Sequence, residues 1–203
     1  MEADSYNTIA APAEAVFKDK GSKFLAYAYP VTDEQQVKEY LEPLRKKYYD
    51  ATHHCYAWRL GPDGELSRAN DDGEPSGTAG KPILGQMLSR ELTNILIVVV
   101  RYFGGTKLGV PGLINAYRES AREAIEAAEV VTRTVNAVYA VRFAYPVMND
   151  VMRIVKDMSP QVVSQNFDNV CEMELSIRRG REEQLRDRLE KCEGVQFDFK
   201  GYA

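Results

Sequence analysis

The polar segment RANDDGEPSGTAGKP, at residues 68–82, carries side chains that could do chemistry. It combines carboxylates and hydroxyls with three glycines, and it lies between two well-patterned segments. Loops of this kind often hold binding residues on a rigid scaffold. The alternative is an ordinary surface loop in which Thr78 helps to cap the following helix. The candidate side chains are Asp71, Asp72, Glu74, Ser76 and Thr78.

A second candidate is the segment RYFGGTKLG, at residues 101–109. Arg101 and Lys107 flank the glycine pair Gly104-Gly105, and a strand, a glycine turn and a helix in this order can bind an anion through backbone N–H groups. The alternative is a tight corner between strand and helix. Neither G-x-x-x-x-G-K-[ST] nor G-x-G-x-x-G occurs, so we predict no nucleotide site at this turn and no cofactor.

Histidine and cysteine give little support for catalysis or metal binding. His53 and His54 are adjacent on a predicted strand, so their side chains point to opposite faces and cannot both ligate one metal. The alternative to a packed histidine is a metal site that one of them forms with the acidic loop. Cys55 lies about 6–7 Å along the strand from His53, too far for a nucleophile–base hydrogen bond. Three cysteines without C-x-x-C spacing argue against a disulfide framework and a zinc knuckle. We predict no metal site and no catalytic residue.

A local cationic surface is the remaining candidate. The net charge of −4 provides no global basic field, so any contact with RNA needs a local patch. Arg118 and Arg122 lie four residues apart on a predicted helix. The alternative is a solvated face of ordinary ion pairs, because glutamates interleave with these arginines. The candidate patch consists of Lys81, Arg101, Lys107, Arg118 and Arg122.

The elements that must position these residues follow from hydrophobic patterning. The run 95–100 is apolar throughout, which indicates a central strand buried on both faces, and an amphipathic helix follows from Leu113. We place Pro111 at the first helical position. Other predicted elements of this half are a hairpin at 13–20 and 23–31, a helix at 33–49, a strand at 51–60, a helix at 83–92 and a strand at 131–135.

From about residue 137 the pattern becomes β-α-β-β-α-β, the order of the ferredoxin-like split βαβ unit. The outward residues of its sheet include no aromatic platform for RNA bases, so we interpret this unit as structural or partner-binding. We predict two domains, at residues 1–136 and 137–203. At 203 residues the chain is long enough for each to bury a core.

Three motifs together resemble the YigZ-like bacterial branch of the IMPACT family: HHCYAWR at 53–59, DDGEPSGTAG at 71–80 and VVRYFGGTKLG at 99–109. The resemblance implies an α+β protein of two domains. The first would be similar to the ribosomal-protein-like βαβ domain IV of elongation factor G, and the ferredoxin-like second to its domain V. Eukaryotic relatives act in translational control through protein partners, but through a module that is absent here, so their partner is not carried over.

We predict a non-enzymatic, translation-associated regulator that binds RNA, the ribosome or a translation factor. The alternative is an enzyme acting on a small anion, bearing phosphate or carboxylate, at Arg101, Gly104-Gly105 and Lys107. The loops 71–80 and 104–109 should lie close together. The acidic start lacks an apolar h-region, so we expect a cytoplasmic protein without membrane association. The predicted binding residues are Lys81, Arg101, Tyr102, Gly104, Gly105, Lys107, Asp71, Asp72, Glu74, Ser76, Thr78 and His54.

Overall fold

In the computed structural model, which describes residues 4–203, the apolar run of the first half forms the middle of a five-stranded sheet. The elements of this half are β1 (Ser5–Ile9), β2 (Ala13–Asp19), β3 (Ser22–Pro30), α1 (Glu34–Lys47), β4 (His53–Leu60), β5 (Leu66–Asn70), α2 (Gly80–Ser89), β6 (Ile95–Tyr102), α3 (Gly109–Glu126) and β7 (Val130–Thr134). The sheet has the antiparallel order β2-β3-β6-β4-β5. Every residue of β6 except Tyr102 is buried, which confirms the predicted central strand.

Apolar cores cover both faces of this sheet. Cys55 and Ala57 of β4 belong to the core beneath α2 and α3, whereas Tyr56 and Trp58 belong to the core beneath α1. This alternation along β4 is the one that the sequence predicts, because successive side chains of a strand point to opposite faces. The alternation assigns His53 and His54 to different environments.

The patterning missed two strands and shifted two helix starts. β5 is an edge strand with mostly exposed side chains, so it lacks the apolar alternation that reveals a strand. The sequence therefore predicts residues 68–70 as part of the polar loop, whereas they belong to β5. β1, which pairs with β7, also escaped prediction. The helix α2 begins at Gly80 rather than at Ile83. The helix α3 begins at Gly109, so Pro111 is its third residue and not its first.

The polar loop between β5 and α2 is closed by the side chain of Asp71. Its Oδ1 accepts the backbone N–H groups of Ala79 at 3.1 Å and Gly80 at 2.8 Å, and its Oδ2 accepts that of Gly77 at 2.9 Å. Burial alone would raise the pKa of this carboxyl, but the three N–H donors, with the charge of Lys81, hold the pKa below its ordinary value. Asp71 therefore caps α2 and fixes the loop.

The glycine turn after β6 is packed against the β2–β3 hairpin. A Cβ atom on Gly104 would lie 2.0 Å from the carbonyl carbon of Gly21. The N–H of Gly104 donates to Ser22 Oγ at 3.2 Å. The close backbone approach supports the interpretation of this turn as a tight corner that only glycine can form.

The second half of the chain folds as the predicted β-α-β-β-α-β unit. Its elements are β8 (Asn136–Phe143), α4 (Met148–Met158), β9 (Gln161–Phe167), β10 (Cys171–Arg178), α5 (Glu182–Glu190) and β11 (Val195–Tyr202). The sheet order is β11-β8-β10-β9, with antiparallel neighbours. Phe143, Leu175, Leu185 and Leu189 share one core, against which Phe197 packs. The chain is thus α+β, with one compact unit at Tyr6–Arg133 and another at Thr134–Ala203 that includes residues 4 and 5.

Replacement of Gly104 by alanine should destabilise the protein, because the new Cβ would overlap the backbone of Gly21. Overpacking of this kind costs about 1–3 kcal/mol, so we expect a Tm lower by several degrees in a thermal unfolding measurement. Gly85→Ala is the matched control, since a Cβ there meets no atom within 4 Å and alanine favours the helix. A Gly104→Ala variant with the Tm of the wild type would contradict the close packing.

Asp71→Asn should lower the free energy of unfolding by about 1 kcal/mol at pH 7, because the charged cap is lost. The pKa of Asp71 is lower in the folded state than in the unfolded chain, so its contribution is present above the unfolded pKa and disappears as the pH falls through the folded value. The difference between wild type and variant should therefore hold from pH 6 to 8 and shrink below about pH 4. Glu193→Gln, which removes an exposed carboxylate, is the control. If the difference in free energy of unfolding between the wild type and Asp71→Asn did not change with pH, the role of the Asp71 charge as a cap would be contradicted.

Candidate functional site

A buried ion pair joins the two predicted loops. Arg101, near the end of β6, donates from Nη1 to Glu74 Oε1 of the polar loop at 2.6 Å. The side chains are only 6% and 3% exposed. Nη2 of Arg101 also donates to Ser22 Oγ at 3.3 Å. The polar loop is thereby tied to the central strand and to the start of β3.

A tyrosine and a cysteine extend this network into the core. The hydroxyl of Tyr117, on α3, donates to Glu74 Oε1 at 2.6 Å. The thiol of Cys55 lies 3.4 Å from that hydroxyl and 3.0 Å from the carbonyl oxygen of Asp71, to which it donates. Burial raises the pKa of both the Cys55 thiol and the Tyr117 hydroxyl. At Cys55 the hydrogen bond with Tyr117 opposes this shift, while the nearby carboxylates add to it. Because the thiolate is the reactive form of cysteine, Cys55 is not set up as a nucleophile.

His53, which we did not include among the predicted binding residues, is the histidine of this site. Its Nδ1 donates to the carbonyl oxygen of Asp72 at 2.7 Å, and its Nε2 lies 3.6 Å from Glu74 Oε1. No pattern in the sequence identifies it, because His53 lies opposite Arg101 only through the register of β4 and β6, which places the two side chains on one face.

His54, the predicted candidate, lies on the other face of the sheet. Its ring Nε2 donates to the carbonyl oxygen of Tyr48 at 2.8 Å. Its backbone N–H donates to Asp72 Oδ2 at 2.7 Å. His54 therefore supports the polar loop through its backbone, while its side chain points away from the ion pair, as adjacent residues of a strand must.

A cleft of about 380 Å³ opens beside the ion pair and includes His53, Glu74, Arg101 and Lys107 in its lining. Its walls are mainly apolar and come from the polar loop, the glycine turn and the first turns of α3. The apolar wall residues are Pro75, Phe103, Leu108, Val110 and Leu113. The segments 71–80 and 104–109 thus meet at one cleft.

The candidate cationic patch is not assembled as a free charged surface. Arg122 pairs with Glu119 and Glu126 at 2.8 Å, as the alternative interpretation of ordinary ion pairs proposed. Arg118 donates to the side chain of Asn115. With Arg101 paired to Glu74, Lys107 is the cation of this set that remains exposed in the cleft lining.

The other predicted residues take mostly structural positions. Thr78 donates to the carbonyl oxygen of Pro75 at 2.6 Å, and Ser76 is exposed. Lys81 is exposed beside Asp71 and is not part of the cleft lining. Tyr102 donates from its hydroxyl to Asp50 at 2.8 Å and packs against the core beneath α1.

Within residues 4–203, no group of three or more histidine, cysteine, aspartate or glutamate side chains is placed to hold a metal ion. None of the helices in the same range has the length and apolar character needed to cross a membrane.

Comparisons with known proteins agree with the motifs. Residues 20–125 match the Impact N-terminal domain. The IMPACT family member YvyE of Bacillus subtilis is 41% identical over 129 residues, covering 64% of this chain and 59% of YvyE. The IMPACT family member YigZ of Escherichia coli is 31% identical over 166 residues, covering 81% of each chain. A crystal structure of a hypothetical protein is 27% identical and covers 97% of both chains, with a TM-score of 0.73. The chain belongs to the IMPACT family.

Proposed function

We propose that this protein is a non-enzymatic, translation-associated binding protein whose cleft takes an apolar side chain of a partner protein. The setting in translation is supported by the family, whose eukaryotic members the sequence resemblance connects with translational control. The mode of action follows from the residues that form the cleft.

One observation carries the proposal: Glu74 and Arg101, the buried charged side chains of the cleft lining, are hydrogen-bonded to each other. Glu74 accepts hydrogen bonds from Arg101 and Tyr117, and both of these partners are buried. The Cys55 thiol is held in its protonated form by burial. A general base or nucleophile must reach the atom on which it acts, and these groups are already used within the fold. The buried polar groups therefore stabilise the shape of the cleft and do not act on a substrate.

The character of the walls favours a protein partner over RNA. Pro75, Phe103 and Val110 offer an apolar surface, and the Phe103 side chain is 49% exposed. Apolar or aromatic anchors that enter such pockets supply most of the affinity of many protein interfaces. Binding of RNA through its backbone instead needs several unpaired cations, and the cleft offers mainly Lys107. The charge of Lys107 favours a partner protein that carries a carboxylate beside the apolar side chain that enters the cleft.

The ion pair argues against the alternative function, an enzyme that acts on a small anion. In that hypothesis Arg101 binds the phosphate or carboxylate of the substrate. In the structure its charge is instead neutralised by Glu74, whose Oε1 lies 2.6 Å from Arg101 Nη1. An anion that displaced Glu74 would leave that carboxylate buried and unpaired, which is strongly unfavourable. The geometry therefore supports the binding protein better.

The test is affinity capture from cell lysate, with and without nuclease, followed by identification of the captured proteins. We expect nuclease-resistant capture of a translation protein, and we expect Phe103→Ser to reduce it more than tenfold, because truncation of an aromatic anchor typically costs about 2 kcal/mol or more. Tyr145→Ser, which changes an exposed aromatic residue of the other unit, is the control.

Three results would overturn the proposal. They are capture that disappears with nuclease, equal capture by the Phe103→Ser and wild-type proteins, and turnover of a small metabolite that requires Lys107. The Arg101 guanidinium lies 5.7 Å from the Phe103 ring and loses that contact in Phe103→Ser. The Tm of each variant is therefore compared with that of the wild type, so that a loss of folding is not read as a loss of binding.

A further inference from the structure

We infer that the other face of the same sheet, beside α1, binds single-stranded nucleic acid. This inference goes beyond the proposed function, because it concerns a surface separate from the cleft and a different class of ligand. It rests on aromatic and cationic side chains that lie far apart in sequence and are brought together on β2, β3, β6 and the end of α1. The tyrosine–lysine surface consists of Tyr27, Tyr48, Tyr102, Lys18, Lys23 and Lys47.

Helix α1 leaves one side of this face open. Its buried residues Val37, Leu41 and Leu44 pack on side chains of β3, β4 and β6, whereas β2, described in full, contributes no side chain to that core. The outward residues of β2 are accordingly exposed, and Val16 is 51% exposed. A strip of sheet next to the helix is therefore open to a ligand.

Two lysines lie opposite each other on this strip. Lys18 pairs with Lys23, and Lys23 pairs with Tyr102 on the next strand, so all three side chains share one face. Asp19, which could have neutralised them, pairs with Ser22 and points to the other face. Like charges directly opposite on a sheet are destabilising, and a phosphate placed between them would relieve the repulsion.

Three half-buried tyrosines continue this row of side chains. The rings of Tyr48 and Tyr102 meet edge to face, with centroids 6.4 Å apart at 81°. The ring of Tyr27 lies 6.0 Å from that of Tyr48, and their hydroxyls are hydrogen-bonded. Lys47 Nζ lies 5.1 Å from the centroid of the Tyr48 ring. Aromatic rings beside cations are the means by which proteins stack unpaired bases and hold the adjoining phosphates.

The charge of the surface is complementary to phosphate. Within residues 4–203, no carboxylate lies within 4 Å of the side-chain nitrogens of Lys18, Lys23 or Lys47. Two carboxylates belong to the same region: Glu14, opposite Tyr27, and Asp50, which accepts the Tyr102 hydroxyl. Lys18 and Lys23 lie at the other end of the β2–β3 hairpin from Glu14. These two lysines therefore form a separate cationic region on a protein whose net charge is −4.

The test is fluorescence anisotropy of the full chain with labelled 12-nucleotide oligo(U) and oligo(dT), and with a duplex of equal length. We expect both single strands to bind more tightly than the duplex, because stacking needs unpaired bases. A preference between the RNA and DNA strands identifies which of the two is the ligand. Because no lysate is used, the result is independent of whether the cleft captures a partner protein.

The decisive variant is Lys18→Ala with Lys23→Ala. We expect affinity to fall about tenfold, and the slope of log K against log salt concentration to fall by about 1.4, or about 0.7 for each phosphate contact to a single strand. Lys156→Ala with Lys191→Ala removes the same charge from the other unit and should change affinity less than twofold. All four lysines are exposed, so both proteins should fold.

The tyrosines are tested separately. Tyr48→Phe keeps the ring and should bind as the wild type does, whereas Tyr48→Ser should bind at least fivefold more weakly. The inference is overturned by the absence of binding at micromolar concentration or by duplex binding as tight as that of the single strands. It is also overturned by equal losses in the two lysine double variants, or by an unchanged salt slope in Lys18→Ala with Lys23→Ala.

Discussion

The buried ion pair of Arg101 and Glu74 is the interaction on which the rest of the site depends. Removing both charges from water costs several kcal/mol for each ion, and a pair at 2.6 Å repays this only with further hydrogen bonds. Tyr117 and Ser22 supply such bonds. The guanidinium also lies 5.5 Å from the Phe24 ring, a favourable position for a cation. Neither charge can be removed alone without leaving the other unpaired, so the loop and the strand hold each other in place.

Three constraints together produce the cleft. The ion pair ties the polar loop to the end of β6, Asp71 closes that loop onto α2, and Gly104 allows the following turn to lie against Gly21. Each uses a residue type that few others could replace. The conspicuous charges of the two loops thus build the scaffold, and the apolar residues between them form the walls that a partner can contact.

The sequence predicted the features that depend on local patterning. The apolar run of β6, the alternation along β4 and the pattern of the second unit each reflect a periodic burial of side chains. β5 has no such period, because it is an exposed edge strand held by backbone pairing with β4. The pairing of Arg101 with Glu74 depends on how the loop folds back, which no spacing specifies. Lys18, Lys23 and Tyr102 become neighbours only through the register of β2, β3 and β6. Their positions in the sequence therefore do not reveal that they form one surface.

Arg101 and Glu74 stabilise the fold as a pair. A double-mutant cycle with Glu74→Gln, Arg101→Met and the double variant, followed by urea unfolding, measures their coupling directly. We predict that each single change lowers the free energy of unfolding by about 3–5 kcal/mol, because it leaves a buried charge unpaired. The double variant should lose at least about 2 kcal/mol less than the sum of the two. Additive losses, with a coupling energy near zero, would contradict the account.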